Sequence, residues 1–223
     1  VPLGITNIKN KISSLTIIIR SYTSGDIDND KVMLDQNKKR IFELPKIEYT
    51  LRTIKSIITS CEKSLEYFNN LNINIIVTDD KTKNHNLEKI NKLLNSTKIK
   101  TQIINLDENE FDDQIKKEDV NGKKISKNMI SNMRNILKSI EISEKGNSDL
   151  FYFLEDDYIH TKDAITEMLF TYEKLSSQLN KELFLCPADY PYLYSNIDES
   201  KILFGSKRHW RTVKESLITF MTS

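Results

Sequence analysis

Phe151-Tyr152-Phe153-Leu154-Glu155-Asp156-Asp157-Tyr158 is an apolar run that ends in three consecutive carboxylates. A short run of aromatic and branched residues is typical of a buried strand, so the acidic groups are expected at the tip of that strand. Carboxylates this close together repel one another, and they are tolerated where water screens them or where a bound cation offsets their charge. The stretch therefore predicts a buried sheet with a candidate metal site at the end of one strand.

Length and charge limit the classes of protein that fit. We expect residues 1–223 to form a single domain, with an N-terminal extension over residues 1–14 and a mobile loop over residues 107–127. The formal net charge is +1. Because a domain that binds phosphate backbones usually carries a clear basic excess, nucleic acid is not an expected partner.

Cysteine usage and hydropathy indicate the compartment. Cys61 and Cys186 lie far apart and form neither a zinc pattern nor a disulfide framework, which fits a reducing environment. No run approaches the roughly 18 to 20 apolar residues that span a bilayer. We therefore expect a cytoplasmic location and no transmembrane segment, with peripheral membrane contact left open. Because the chain begins with Val, we also expect it to be part of a longer polypeptide.

Short β-rich runs alternate with helical runs along the chain, which predicts an α/β sandwich with a mostly parallel central sheet. A loop is predicted over residues 23–43, and in the helix over 131–142 we expect Met133, Ile136, Leu137 and Ile140 to face the core. Residues 201–221 predict a β-hairpin around Lys207–Trp210. The predicted strands are 15–20, 73–78, 100–106, 151–154 and 183–186, and the predicted helices are 45–68, 86–94, 131–142 and 162–179.

Three polar runs fall at the carboxyl ends of predicted strands, which is where ligands bind in open α/β sheets. Because these ends meet at one edge of a parallel sheet, we expect the runs to converge on a single crevice. The residues concerned are Arg20, Tyr22, Asp79, Asp80, Glu155, Asp156 and Asp157.

The order of these features resembles a known family. A strand, a long helix, a strand ending in Asp79-Asp80, a later helix with Ser131-Asn132-Met133-Arg134-Asn135, and a strand ending in the acidic triplet are similar to the family 2 type of glycosyltransferase. The resemblance covers roughly residues 15–191 and implies the Rossmann-like GT-A fold.

The resemblance also implies an activity and its partners. It implies transfer of a sugar, with inversion, from a UDP- or GDP-sugar donor to a hydroxyl of a glycan or lipid-linked acceptor, with Mn²⁺ or Mg²⁺ on the diphosphate. Asp79 or Asp80 would contact the base or ribose, and Arg134 would help to hold the donor. Asp157 would be the chief metal ligand, with Glu155 or Asp156 as the second contact.

The triplet departs from the family's Asp-x-Asp motif, since Glu155-Asp156-Asp157 allows two pairings. On a strand, residues i and i+2 point the same way, so Glu155 and Asp157 are favoured as the pair on one face. Arg20-Ser21-Tyr22 replaces the polar signature of the family's first strand, and the family's later Glu-Asp motif has no clear counterpart.

An inverting transfer needs a general base within hydrogen-bond reach of the acceptor hydroxyl. Asp189 is the first candidate, because it follows a predicted strand and is flanked by Pro187 and Pro191. His209 is the second candidate, and it could instead complete the metal shell or contact the diphosphate.

Other classes of protein remain open on the sequence. A receiver domain places an acidic pair on its first strand, which this chain does not. A sugar nucleotidyltransferase normally has a Gly-rich loop after that strand, where this chain has only Gly25. The main alternative is a non-catalytic glycosyltransferase-like module that binds a glycan or a protein.

Overall fold

A computed structural model describes residues 7–23, 45–190, 194 and 199–223, so most of the loop predicted over residues 23–43 lies outside the described residues. The helices in this part of the chain are α1 (Lys46–Leu65), α2 (Asn84–Leu94), α3 (Lys127–Lys145) and α4 (Ala164–Leu179). The strands are β1 (Ser14–Ser21), β2 (Asn72–Asp79), β3 (Lys100–Asn105), β4 (Leu150–Glu155), β5 (Ile202–Phe204), β6 (His209–Arg211) and β7 (Phe220–Thr222).

The main sheet has the strand order β3-β2-β1-β4-β7, in which the first four strands are parallel and β7 is antiparallel to β4. The predicted α/β class with a mostly parallel sheet is confirmed. The chain winds outward from β1 to β3 and then returns to the other side of β1 at β4, so the strand order reverses between β1 and β4. In doubly wound sheets this reversal opens a crevice at the carboxyl ends of the two strands.

The large core lies between the sheet and the helices α1, α2 and α4. Alternate strand residues, such as Ile17, Ile75 and Tyr152, are fully buried against these helices. The opposite face carries a smaller cluster of Ile18, Phe151 and Phe153, onto which Ile142 of α3 packs. In the described part of the chain, no helix is long and apolar enough to cross a membrane.

Helix α3 forms as predicted but buries a different face. Ile140 is exposed, and the buried residues of the helix are Ser131, Arg134, Asn135 and Ser139. The prediction that Ile140 faces the core is therefore wrong, and Met133, Ile136 and Leu137 are half-buried rather than part of the buried face. Because the buried side chains are polar and spaced at helical intervals, α3 presents a polar stripe to the interior.

The strand predicted over residues 183–186 is reduced to a single bridge. Leu185 exchanges two backbone hydrogen bonds of 2.8 Å with Met221 of β7. Pro187 lacks an N–H, so it cannot extend the pairing. The C-terminal hairpin is confirmed as the antiparallel pair β5–β6, whereas β7 leaves it and joins the main sheet.

The hairpin is fastened to α4 by one buried carboxylate. Glu167 accepts hydrogen bonds from the backbone N–H groups of Ser206, Lys207 and Arg208 at 3.1, 2.7 and 3.2 Å, and from Nε1 of Trp210 at 3.1 Å. A Cβ atom on Gly205 would lie 2.2 Å from Oε1 of Glu167. The carboxyl group thus fills the turn as the common acceptor of these four hydrogen bonds, and a Cβ atom at residue 205 would displace it.

Replacing Glu167 with Ala is expected to lower the free energy of unfolding by about 2–4 kcal/mol, because it leaves the turn amides and the indole N–H without their acceptor. Glu144→Ala, at an exposed helical position, is the matched control. Urea unfolding at constant protein concentration measures both. Equal midpoints for the two variants would contradict this role of Glu167.

Candidate functional site

The strand register brings the three predicted polar runs to one edge of the sheet. Ser21 at the end of β1 lies opposite Asp79 at the end of β2. Arg20 lies opposite Glu155 at the end of β4. The ends of β1, β2 and β4 therefore meet where the strand order reverses, and we call this region the switch-point site.

Asp80 is the most unusual group in this site. Its residue is 1% exposed, and neither carboxylate oxygen has a hydrogen-bond partner in the described part of the chain. Its backbone N–H donates to the carbonyl oxygen of Ser21 at 3.3 Å, which places the residue at the tip of β1. A buried carboxylate without donors is costly, so this position favours a ligand that supplies N–H or O–H groups.

The polar stripe of α3 contributes further groups to the same edge. The side-chain amide of Asn135 donates to the carbonyl oxygens of Ser21 and Ser131, both at 3.3 Å. Among the described residues, Oδ1 of Asn135 and the buried hydroxyls of Ser21 and Ser131 have no partner. Sequence reasoning singled out Arg134 in this helix and missed Asn135 and Ser131. Ser131 and Asn135 are four residues apart, which places both on one face of a helix, and this spacing could have identified them from the sequence.

Asp79 has a structural role that Asp80 lacks. Its carboxylate accepts a hydrogen bond from the backbone N–H of Thr82 at 3.0 Å and another from the Thr82 hydroxyl. Thr82 in turn accepts a hydrogen bond from the Thr23 hydroxyl at 3.1 Å. Burial raises the pKa of Asp79, although the bonds from Thr82 oppose the shift. Asp79 therefore holds the loop after β2, while the adjacent carboxylate of Asp80 accepts no hydrogen bond in the described part of the chain.

Arg20 is a buried cation beside this acidic edge. Nη1 donates to the carbonyl oxygen of Ile218 at 3.0 Å, and Nη2 lies 3.4 Å from Oε1 of Glu155. In the described part of the chain, Nε and Nη2 make no hydrogen bond. Burial lowers the pKa of Arg20 and raises that of Glu155 despite their mutual attraction. The pair thus leaves guanidinium donors available to an anionic ligand.

The acidic triplet divides into three different environments. Strand β4 ends at Glu155, so Asp156 and Asp157 lie in a turn and the predicted strand alternation does not reach Asp157. Asp156 is buried against α1, where it accepts a hydrogen bond from Thr50 at 2.9 Å and pairs with Lys46 at 3.1 Å. Asp157 is exposed. Asp156 is therefore committed to the start of α1, where a carboxylate is favourable.

The described residues contain no group of three or more His, Cys, Asp or Glu side chains arranged to hold a metal ion. Glu155 and Asp157 remain as neighbouring carboxylates accessible to solvent. Mg²⁺ commonly binds through one or two carboxylates together with substrate phosphates. These two residues fit that kind of shared site, and the metal stays a prediction.

Tyr22 and Arg134 have contacts with the rest of the fold. The Tyr22 hydroxyl donates to Oδ1 of Asn128 at 3.0 Å, which ties the end of β1 to the first turn of α3. Arg134 pairs with Asp112, and this pairing lowers the pKa of Asp112. Arg134 thus anchors part of the segment over residues 107–127, whose predicted mobility remains untested.

The two candidate general bases lie in the part of the chain that follows α4. Asp189 accepts hydrogen bonds from the Tyr194 hydroxyl and from Nη2 of Arg211 at 2.9 Å, and these bonds lower its pKa. His209 is exposed and packs edge-on against Phe204. Asp189 is therefore a weaker base in this structure than an aspartate without these bonds. Pro191, which was expected to stiffen its loop, lies outside the described residues.

A second polar cluster lies at a cavity of about 280 Å³ whose lining includes Tyr152, Tyr158, His160 and Trp210. Nδ1 of His160 lies 3.2 Å from the carbonyl oxygen of Tyr158, which can only accept, so this nitrogen carries the proton. Nε2 then accepts from the Tyr152 hydroxyl at 2.7 Å. The Tyr158 and Tyr190 hydroxyls lie 2.6 Å apart, which connects residue 190 to the residue that follows the triplet.

Comparisons with known proteins yield a distant likeness. No protein-family model matches the chain, and no curated protein matches it. Among solved structures, it is similar to the crystal structure of Staphylococcus aureus TarS 1–349, at 11% sequence identity and a TM-score of 0.41. The similarity covers 78% of this chain and 34% of that chain, so the protein spans about a third of the TarS structure.

Alanine substitutions separate the structural carboxylate of the triplet from its neighbour. Asp156→Ala is expected to lower the free energy of unfolding by about 2–3 kcal/mol, because Lys46 and Thr50 lose a buried partner. Asp157→Ala is expected to change it by about 0.5 kcal/mol or less, since Asp157 is exposed. Chemical denaturation measures both variants. The assignment fails if Asp157→Ala is the more destabilising of the two.

His160 is expected to make stability depend on pH. Burial lowers its pKa from 6.5 to about 4, so between these values the unfolded chain binds more protons than the folded one. Stability is therefore full above pH 6.5 and falls as the pH drops toward 4. His160→Gln should reduce the loss between pH 7.5 and 4.5 by on the order of 2 kcal/mol.

The measurement compares urea unfolding at the two pH values for the wild-type protein, His160→Gln and the exposed control His85→Gln. Only the His160 variant should show a flatter dependence on pH. An equal flattening by His85→Gln would locate the effect elsewhere.

Proposed function

We propose that this protein is a glycosyltransferase that binds a nucleoside diphosphate sugar at the switch-point site, with Asp80 as the acceptor for the base or ribose. The observation that carries the proposal is the Asp80 carboxylate, which is buried at the end of β2 without a donor in the described part of the chain. A nucleoside offers N–H and ribose O–H donors to such a group. The neighbouring amide oxygen of Asn135 and hydroxyl of Ser21 extend the same acceptor surface.

A different set of residues is proposed to bind the diphosphate of the donor. Arg20 supplies buried guanidinium donors at the point where the strand order reverses. Glu155 and Asp157 are the residues that would hold Mn²⁺ or Mg²⁺, which would neutralise the charge that develops on the leaving diphosphate. Arg134 lies on the same helix as Asn135. Its proposed contact with the donor requires that it leave Asp112, with which it is paired.

The proposed general base is less well suited to its role than the proposed donor-binding residues are to theirs. Asp189 is the proposed base, but its bonds to Arg211 and Tyr194 must loosen before it can take a proton from a hydroxyl. This observation favours a second candidate, a module that binds a nucleotide-sugar or glycan without transferring it. Detection of product from a labelled donor distinguishes the two. Binding without turnover supports the module.

Thermal unfolding with UDP- and GDP-sugars, each with and without Mn²⁺, tests the proposal. A ligand at about 100 times its dissociation constant stabilises the folded state by roughly 2.7 kcal/mol. Asp80→Asn should keep or raise the midpoint of the ligand-free protein, because a buried charge without a partner is removed. The same variant should lose the shift caused by the nucleotide.

Two variants serve as controls. Asp79→Asn should lower the midpoint without ligand, since this carboxylate accepts hydrogen bonds from Thr82. Asp157→Ala should remove only the part of the shift that depends on Mn²⁺. The proposal is overturned if no nucleotide shifts the transition under any metal condition, or if Asp80→Asn responds to nucleotide as the wild-type protein does.

A further inference from the structure

A second cavity, of about 350 Å³, lies between the C-terminal end of α4, residues 183–188 and the β5–β6 hairpin. None of the residues assigned to the nucleotide at the switch-point site lines it, although both candidate bases, Asp189 and His209, do. Much of its wall is aliphatic and comes from Leu175, Leu179, Leu183, Leu185, Leu203 and Val213. The volume falls within the range of small-molecule sites.

The apolar wall continues to the protein surface. Leu179, Phe184 and Val213 line the cavity while remaining 47%, 70% and 40% exposed. Adjoining exposed apolar side chains of this kind mark interaction sites more often than isolated ones do. The wall therefore favours a ligand with a substantial hydrocarbon part.

Among the described residues, Arg208, Arg211, Asp189 and Glu215 are the Lys, Arg, Asp and Glu side chains that line this cavity, and the hairpin segment that forms one wall is basic. Residues 199–216 carry five Lys and Arg side chains and two Glu side chains. Arg208 lines the cavity and is exposed, and in the described part of the chain its guanidinium has no carboxylate partner. Of the two carboxylates that line the cavity, Asp189 is paired with Arg211 and Glu215 is exposed. The free cation favours an anionic group next to the apolar wall.

We propose that this cavity binds an amphiphile, with a hydrocarbon chain against the leucine wall and a phosphate or carboxylate head on Arg208. The chain would remove Leu179, Phe184 and Val213 from water, which supplies the driving force. The charge-assisted contact with Arg208 selects the sign of the head. This inference goes beyond the proposed function and does not depend on sugar transfer.

Trp210 provides the readout, because it is the single tryptophan of the chain and lines the cavity. Its emission is titrated with decyl phosphate below the micelle concentration and without any nucleotide. Decanol, inorganic phosphate and decyltrimethylammonium are titrated in parallel. We expect saturable binding of decyl phosphate, weaker binding of decanol and none of phosphate alone. Because no nucleotide is present, failure here is distinct from failure of the proposed function.

Substitutions at exposed positions test the two halves of the site. Arg208→Glu should weaken decyl phosphate binding about tenfold or more, and Lys201→Glu, the same charge change outside the cavity, should not. Val213→Asp should weaken binding of decyl phosphate and decanol. Ile202→Asp, which introduces a carboxylate at an exposed apolar position outside the cavity lining, is its control.

Vesicles of phosphatidylcholine with and without phosphatidylglycerol identify the source of the head group. Binding to anionic vesicles that is lost in Arg208→Glu assigns a membrane lipid, and binding of decyl phosphate alone assigns a free amphiphile. Both results support the site. The proposal is overturned if decyl phosphate gives no saturable change, if decyltrimethylammonium binds equally well, or if the control variants weaken binding as much as the cavity variants.

Discussion

The parallel pairing of β1 with β2 on one side and β4 on the other is the constraint on which the site depends. This register places Arg20 beside Glu155, and Ser21 beside Asp79. A slip of one residue in either pair would turn the polar tip residues toward the wrong face. The fully buried aliphatic residues of β1 prevent such a slip, since they would lose their packing against α1 and α4. Core packing and site geometry are therefore specified by the same strand.

The polar stripe of α3 lowers the contribution of this helix to the stability of the fold. A helix that covered the sheet with leucine and isoleucine would bury more apolar area, yet α3 turns Ser131, Asn135 and Ser139 inward. Several of the buried polar atoms around Ser21 and Asp80 lack partners among the described residues. Buried polar atoms without hydrogen-bond partners are expected where a protein retains polar side chains for function at the expense of stability.

Most of the elements and their order could be predicted from the sequence, because the strands are short β-branched or aromatic runs and the helices have clear apolar periodicity. The convergence of the runs at 20–22, 79–80 and 155–157 also followed from the parallel sheet. The single bridge at Leu185 and the pairing of β7 with β4 did not follow, and neither did two details of the site. The buried face of α3 is set by the polar edge of the sheet that it meets, and the role of Asp156 is set by Lys46, which is distant in sequence. Both depend on long-range contacts that local patterns do not encode.

The hydrogen bonds from the hairpin turn to Glu167 have a consequence for how the chain reaches its folded state. Strands β5 and β6 have three residues each, and a two-stranded ribbon of this size is marginal by itself in water. Its turn is held by a carboxylate about 40 residues earlier in the chain. The hairpin is therefore expected to order late in folding, after α4 has docked on the sheet. The chain must lose the entropy of closing this loop before the hydrogen bonds to Glu167 can form. The cavity between α4 and the hairpin would be the last part of the described fold to take shape.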